Sequence, residues 1–211
     1  MKILMKNIVN HTKIFLRGVR GIFSTRYTDV PFDRIVVIVG IKSSSRYMDG
    51  FIKFLQKHFP DKEIILIQDF YFYQQSDKVE AMIGRSVEAL SSEKKTLIFA
   101  HSFGGMIARA AIARLENMEH VVLLATLGSP HGIEDFGMRE VIAAHRIPDT
   151  CTVPVMTFGG RVDPVVPDEL SCLTGEVAHI TLSCTHTAFI KISRTRKEVL
   201  SAVMQHLAQK K

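Results

Sequence analysis

From residue 34 onward the chain alternates short, nearly continuous apolar runs with helical patterns, an order that few folds accommodate. The runs are RIVVIVG (34–40), EIILIQ (63–68), TLIFA (96–100), HVVLLATLG (120–128), VPVMTFGG (153–160) and VAHITLS (177–183). They are rich in β-branched residues and do not alternate apolar with polar, the pattern of strands buried on both faces of a parallel sheet. Helical spacing recurs between them, over about 47–59, 76–91, 104–116 and 194–209, with a weaker stretch near 134–146. Strands alternating with helices imply right-handed crossovers. The expected architecture is α/β: about six mostly parallel strands in one domain with helices on both faces. Nothing between residues 29 and 211 reads as a linker.

Charge divides the chain more sharply than hydrophobicity does. Lys2, Lys6, Lys13, Arg17, Arg20 and Arg26 precede the first acidic residue, Asp29, and account for the whole formal charge of +6. Residues 29–211 are therefore neutral, and a neutral body gives no reason to expect nucleic acid. At about 100° per residue, five of the six cations fall within an arc of roughly 60°, opposite Leu4, Ile8, Phe15, Val19 and Ile22, with Ile3 at the edge. Residues 1–28 are thus expected to form a basic amphipathic helix, suited to a membrane surface, to organelle targeting or to packing on its own domain. No run reaches the ~20 uninterrupted apolar residues of a bilayer span, so the expected location is cytoplasmic or peripheral to a membrane. Cys151, Cys172 and Cys184 are odd in number and form no C-x-x-C pair, so neither a disulfide framework nor a structural zinc is expected.

In a doubly wound sheet, ligands bind at the carboxyl ends of the strands. The chemistry to look for therefore follows each apolar run. The most demanding junction is TLIFA-HSFGG-MIARAAIARL, where a strand gives way to a helix through Ser102. A serine hydroxyl is a weak nucleophile until a base takes its proton, and it must also stand clear of the sheet. A tight strand-to-helix turn lifts it there, but only if its neighbours are small. Ala100, Gly104 and Gly105 meet that demand, in a G-x-S-x-G pattern with alanine in the first place. The new helix also aims its first N–H groups at the space where an oxyanion would form. A simple N-cap is the competing role for Ser102.

Partners follow in the order acid, then histidine. Asp163 lies just past a strand in GGRVDPVVP, and His186 just past the last strand in LSCTHTAF. Asp168 is the rival acid, better suited to capping the turn after Pro167. His131, in GSPHG, is the rival histidine and a candidate to line the site. His101 adjoins the serine but should point away from it.

These motifs resemble those of the α/β-hydrolase superfamily, and particularly of small lid-less lipases and esterases, over roughly residues 33–209. The resemblance implies a catalytic triad of Ser102, Asp163 and His186 acting through an acyl-enzyme, without metal or organic cofactor. It implies an oxyanion hole of backbone N–H groups, here Phe103 and Ile41. Such hydrolases usually carry His-Gly after the first core strand, where this chain has Val39, Gly40 and Ile41. Gly40, His131, Ile133 and Phe136 are the candidate substrate contacts. The activity implied is hydrolysis of a carboxylic ester, with an acyl ester or lipid-like small molecule as substrate. Thioester or amide hydrolysis, and a non-enzymatic membrane adaptor on the same scaffold, remain alternatives.

Overall fold

The computed structural model describes residues 26–40, 45–69, 75–131 and 139–209. The expected N-terminal helix over residues 1–28 lies outside the described residues up to residue 25, and residues 26–28 are not helical. Six strands form one sheet: β1 (Arg34–Val39), β2 (Glu63–Ile67), β3 (Thr96–His101), β4 (Val121–Leu127), β5 (Val155–Gly160) and β6 (Ala178–Leu182). They are ordered β2-β1-β3-β4-β5-β6, and every neighbouring pair is parallel. The central strands β1, β3 and β5 are buried along their whole length, whereas the edge strands β2 and β6 are mostly half-buried.

Two apolar layers account for the continuity of the central runs. On β1, Val36 and Ile38 enter one layer while Ile35, Val37 and Val39 enter the other. On β3, Ile98 and Ala100 divide in the same way from Leu97 and Phe99. Since successive side chains point to opposite faces, a strand covered on both sides leaves few positions for a polar residue, and these lie mostly at its ends. The first layer is closed by α2 (Ser76–Leu90) through Val79, Met82, Ile83 and Leu90, and by α3 (Gly104–Ile112). The second is closed by α1 (Ser45–His58) through Met48, Phe51 and Leu55, and by α6 (Ser193–Ala208) through Val199, Leu200, Val203 and Leu207. Helices thus cover both faces; α1, α2 and α6 bury residues at the spacing of an apolar stripe, while α3 is buried along its whole length.

Three element boundaries differ from expectation. The third helix ends at Ile112 rather than 116, because the N–H groups of Arg114 and Leu115 bond to carbonyls three residues back and tighten the last turn. Of the weak pattern near 134–146, residues Arg139–His145 form α4; residues 132–138 lie outside the described residues. A single turn of helix, α5 (Ala188–Lys191), stands between β6 and α6. Four residues are too few to leave a period in the sequence.

The order of the strands fixes where a ligand can sit. The chain runs outward from β1 to β2, then crosses back over β1 to β3 and proceeds to β6. The reversal opens a crevice beyond the carboxyl ends of β1 and β3. Val39 pairs with His101 at those ends, so Gly40 and Ser102 emerge side by side.

Candidate active site

Ser102 occupies the turn between β3 and α3 with φ = 57°, one of two non-glycine residues with positive φ among those described. The left-handed region costs an L-residue about 1–3 kcal/mol and persists only where its surroundings enforce it. Here they do. The Ser102 N–H bonds to the Leu127 carbonyl oxygen at 3.0 Å, extending the β3–β4 ladder into the turn. A Cβ on Gly104 would run into the Ile38 carbonyl, and one on Gly105 would collide with the Ser129 side chain. Both glycines let α3 start directly against the sheet.

Gly40 is held to the same standard. A Cβ there would stand 2.7 Å from the Phe103 nitrogen, 3.0 Å from Ser102 Cβ and 3.2 Å from the Gly104 nitrogen. The backbone at Gly40 therefore lies against the serine and the first N–H groups of α3. The other proposed donor, Ile41, lies outside the described residues, as do Ile133 and Phe136.

Asp163 and His186 come together at the ends of β5 and β6. His186 Nδ1 is 2.8 Å from Asp163 Oδ2, which fixes the ring with a proton on Nδ1 donated to the carboxylate. The second oxygen of Asp163 accepts from the N–H groups of Val165 and Val166, at 2.8 and 2.9 Å. Burial of this carboxyl raises its pKa, but His186 and the two backbone donors outweigh that and hold it below the usual carboxylate range. Among the described residues, Ser102 Oγ and His186 Nε2 make no hydrogen bond, to each other or to another group.

The rival residues are committed elsewhere. Asp168 begins a short 3₁₀ turn (Asp168–Ser171) and pairs with His179 at 3.1 Å and the Thr181 hydroxyl at 2.6 Å. His131, expected to line the site, turns both ring nitrogens inward. Arg109 Nη1 donates to its Nδ1 at 2.9 Å, and its Nε2 faces the Thr126 hydroxyl at 3.0 Å. Burial, with the Arg109 and His179 charges, pushes its pKa down to about 3. A neutral ring wedged between a helix and the sheet is a brace rather than a substrate contact.

Two residues of the site escape a reading of the sequence. His101 Nε2 lies 3.0 Å from the His186 carbonyl oxygen, and the two ring centroids are 4.8 Å apart. Its pKa is pushed down to about 3, by burial first and then by His186, so the ring is neutral and Nε2–H is the donor. Gly128, with φ = +54°, ends β4 beneath the acid–histidine pair. A Cβ there would come within 3.2 Å of Asp163 Oδ2, His186 Nδ1 and Phe189 Cε2. A glycine at a strand end is a visible signal; the groups it makes room for are not.

A parallel sheet with this strand order, a left-handed serine leading into a central helix and a loop-borne acid–histidine pair define an α/β hydrolase of lipase-like form. More particularly, the chain belongs to the family of the PGAP1-like alpha/beta domain, whose model matches residues 47–208. No curated protein matches the sequence. Solved structures share the fold at low identity. An alpha/beta hydrolase enzyme, MGS-MChE2, from the metagenome of sediments from the lagoon of Mar Chica, Morocco, superposes with a TM-score of 0.55 at 14% identity, over 83% of this chain and 91% of its own. The esterase RhEst1 from Rhodococcus sp. ECU1013 gives 0.54 at 13% identity, over 83% and 91%. The esterase domain of a Rhodothermus marinus protein gives 0.52 at 14% identity, over 84% and 88%.

Proposed function

We propose that this chain is a serine hydrolase that cleaves carboxylic esters through an acyl-enzyme on Ser102. Two observations carry the reading: the buried His186–Asp163 pair of 2.8 Å, and a serine held in the left-handed conformation between β3 and α3. His186 Nε2 takes the Ser102 proton as Oγ attacks the ester carbonyl, and Asp163 stabilises the imidazolium that results. The negative charge on the former carbonyl oxygen meets the Phe103 N–H at the start of α3, with Ile41 as the second donor of the hole. Each donor contributes on the order of 3 kcal/mol when aligned. His186 then returns its proton to the leaving alkoxide. Water, activated by the same ring, releases the acid and regenerates the serine.

An acyl ester or lipid-like molecule is the proposed substrate, and the basic segment at residues 1–28 is the proposed contact with a membrane surface. A fluorophosphonate probe tests the core of this reading. Labelling of the wild type that disappears in Ser102→Ala supports it. No labelling of well-folded wild type removes the enzyme and leaves a scaffold. A panel of esters, thioesters and amides of graded acyl length then separates the bond classes.

A further inference from the structure

Behind the acid loop lies a second polar cluster, on the sheet face opposite Met156, Phe158 and Ile180. Thr157 and His179 are register partners on β5 and β6. His179 Nε2 faces Asp168 Oδ1 at 3.1 Å, and its Nδ1 faces the Thr157 hydroxyl at 2.7 Å. The same hydroxyl makes a short contact with Glu176 Oε2, which also accepts the Leu173 N–H at 2.9 Å. Cys172 completes the group: one ligand atom each from Cys172, Glu176 and His179 lies within 4.8 Å of the others.

A count of protons leaves this cluster one positive charge short. A carboxylate only accepts, so Nε2 of His179 carries the proton shared with Asp168 and the single Thr157 proton is claimed by Glu176. The lone pair on Nδ1 then meets a lone pair on Thr157 Oγ1 at hydrogen-bond distance. Turning the hydroxyl toward Nδ1 only moves the clash to Glu176. A metal ion that takes the Nδ1 lone pair, with the Thr157 hydroxyl rotated out of the way, removes the contact.

We propose that Cys172, Glu176 and His179 bind one borderline-soft divalent cation of the zinc type. Thiolate, imidazole and carboxylate together suit zinc, whereas calcium and magnesium take oxygen ligands alone. Asp168 holds the far side of the imidazole, the arrangement that orients metal-bound histidines. Bonds of about 2.0–2.3 Å require the three side chains to draw inward by about an ångström, leaving a fourth position for water. On binding, the Cys172 S–H bond breaks, its proton leaves to solvent, and a sulfur–metal bond replaces it. Burial and then Glu176, Asp168 and Glu169 push the thiol up to about 11, which opposes loss of the proton until the cation takes its place. The same carboxylates attract the cation. The spacing is Cys-x₃-Glu-x₂-His, which a search for cysteine pairs passes over. A cation here would tie the 3₁₀ turn that follows the acid loop to the edge strand β6.

Cobalt titration of the full chain tests the site independently of hydrolysis. Wild type and Ser102→Ala should both bind one equivalent of Co²⁺ with a thiolate-to-cobalt charge-transfer band in the near ultraviolet. Cys172→Ser should abolish the band, His179→Ala should weaken binding at least tenfold, and Cys151→Ser and Cys184→Ser should retain both. Zinc should displace the cobalt and raise the melting temperature of wild type but not of Cys172→Ser. Folded wild type without the band overturns the proposal. So does a band that survives in Cys172→Ser.

Discussion

His101 Nε2 donates to the carbonyl oxygen of His186 across 3.0 Å, so the residue immediately before the serine holds the backbone of the histidine beside it. The bond runs beneath the site, from the last position of β3 to the loop after β6. His101 is therefore a positioning residue. His101→Leu should lower kcat by about tenfold or more, the effect of a buried carbonyl losing its donor. KM should change little. His101→Gln, which keeps a donor, should recover part of the loss. Steady-state kinetics on a short-chain ester distinguish the two variants, and equal losses in both would refute the positioning role.

Three glycines should respond to alanine in three different ways. Gly104→Ala forces a methyl into the Ile38 carbonyl and should destabilise the fold by about 1–3 kcal/mol or more, since backbone cannot step aside. Gly40→Ala presses on the Phe103 nitrogen and Ser102 Cβ, so activity should fall further than stability. Gly84, inside α2, has nothing within 4 Å of an added Cβ. Gly84→Ala should stabilise by about 0.4–1 kcal/mol. Urea denaturation alongside ester turnover orders the three.

Much of this architecture is legible in the sequence because burial on both faces removes ambiguity. Val36 and Val37 face opposite layers, and a run without polar relief fits few environments besides a covered sheet. Ser102 stands out because Gly104 and Gly105 are small for steric reasons that act within a few residues. Asp163 is separable from Asp168 by its place at a strand end. His131 misleads because its partner, Arg109, is brought to it by the packing of α3, and no local pattern announces such a contact. His101 adjoins Ser102 in the sequence, but the loop it supports arrives 85 residues later. Long-range pairings of this kind depend on how two loops settle over a finished sheet.

Asp163→Asn should keep the fold while removing most of the activity. The amide oxygen can still accept from the Val165 and Val166 N–H groups, so the loop retains its anchor. Its NH₂ group, however, would face a ring nitrogen that carries a proton, forcing His186 into the wrong tautomer. Turnover should drop by about 10⁴ with near-native circular dichroism. A loss of less than tenfold would show that another acid serves His186.

Stability should decline as the solution is acidified from neutrality. His101 and His131 are both held neutral, with pKa values of about 3 against an ordinary 6.5. Between those limits the unfolded chain binds protons that the folded chain refuses, so unfolding is favoured as pH falls. Each histidine contributes a slope of up to about 1.4 kcal/mol per pH unit below 6.5. The depressed Asp163 acts in the same direction at still lower pH, its stabilisation being present above the ordinary carboxylate pKa and lost as pH falls through its folded value. Urea midpoints measured at pH 7, 6 and 5 should fall steadily, and His131→Gln should show a shallower slope. A flat profile in the wild type would mean that water reaches both rings.

The acid loop also carries an expectation about the substrate. Val162 and Val165 flank Asp163 and are 61% and 49% exposed, two of the four large apolar side chains left in solvent among the described residues. Val162 N–H contacts the Cys184 carbonyl, which keeps this loop alongside the segment that bears His186. Apolar side chains at the rim of a hydrolytic site can cover an acyl chain whose carbonyl lies at the serine. Covering part of a valine contributes about 0.5–1 kcal/mol, from an area coefficient near 25 cal/mol per Å². The double variant Val162→Ser, Val165→Ser should therefore lower kcat/KM for an octanoyl ester by about three- to tenfold. An acetyl ester, too short to reach the rim, should be hydrolysed as before. Equal effects on both esters would mean that the valines serve the loop rather than the acyl chain.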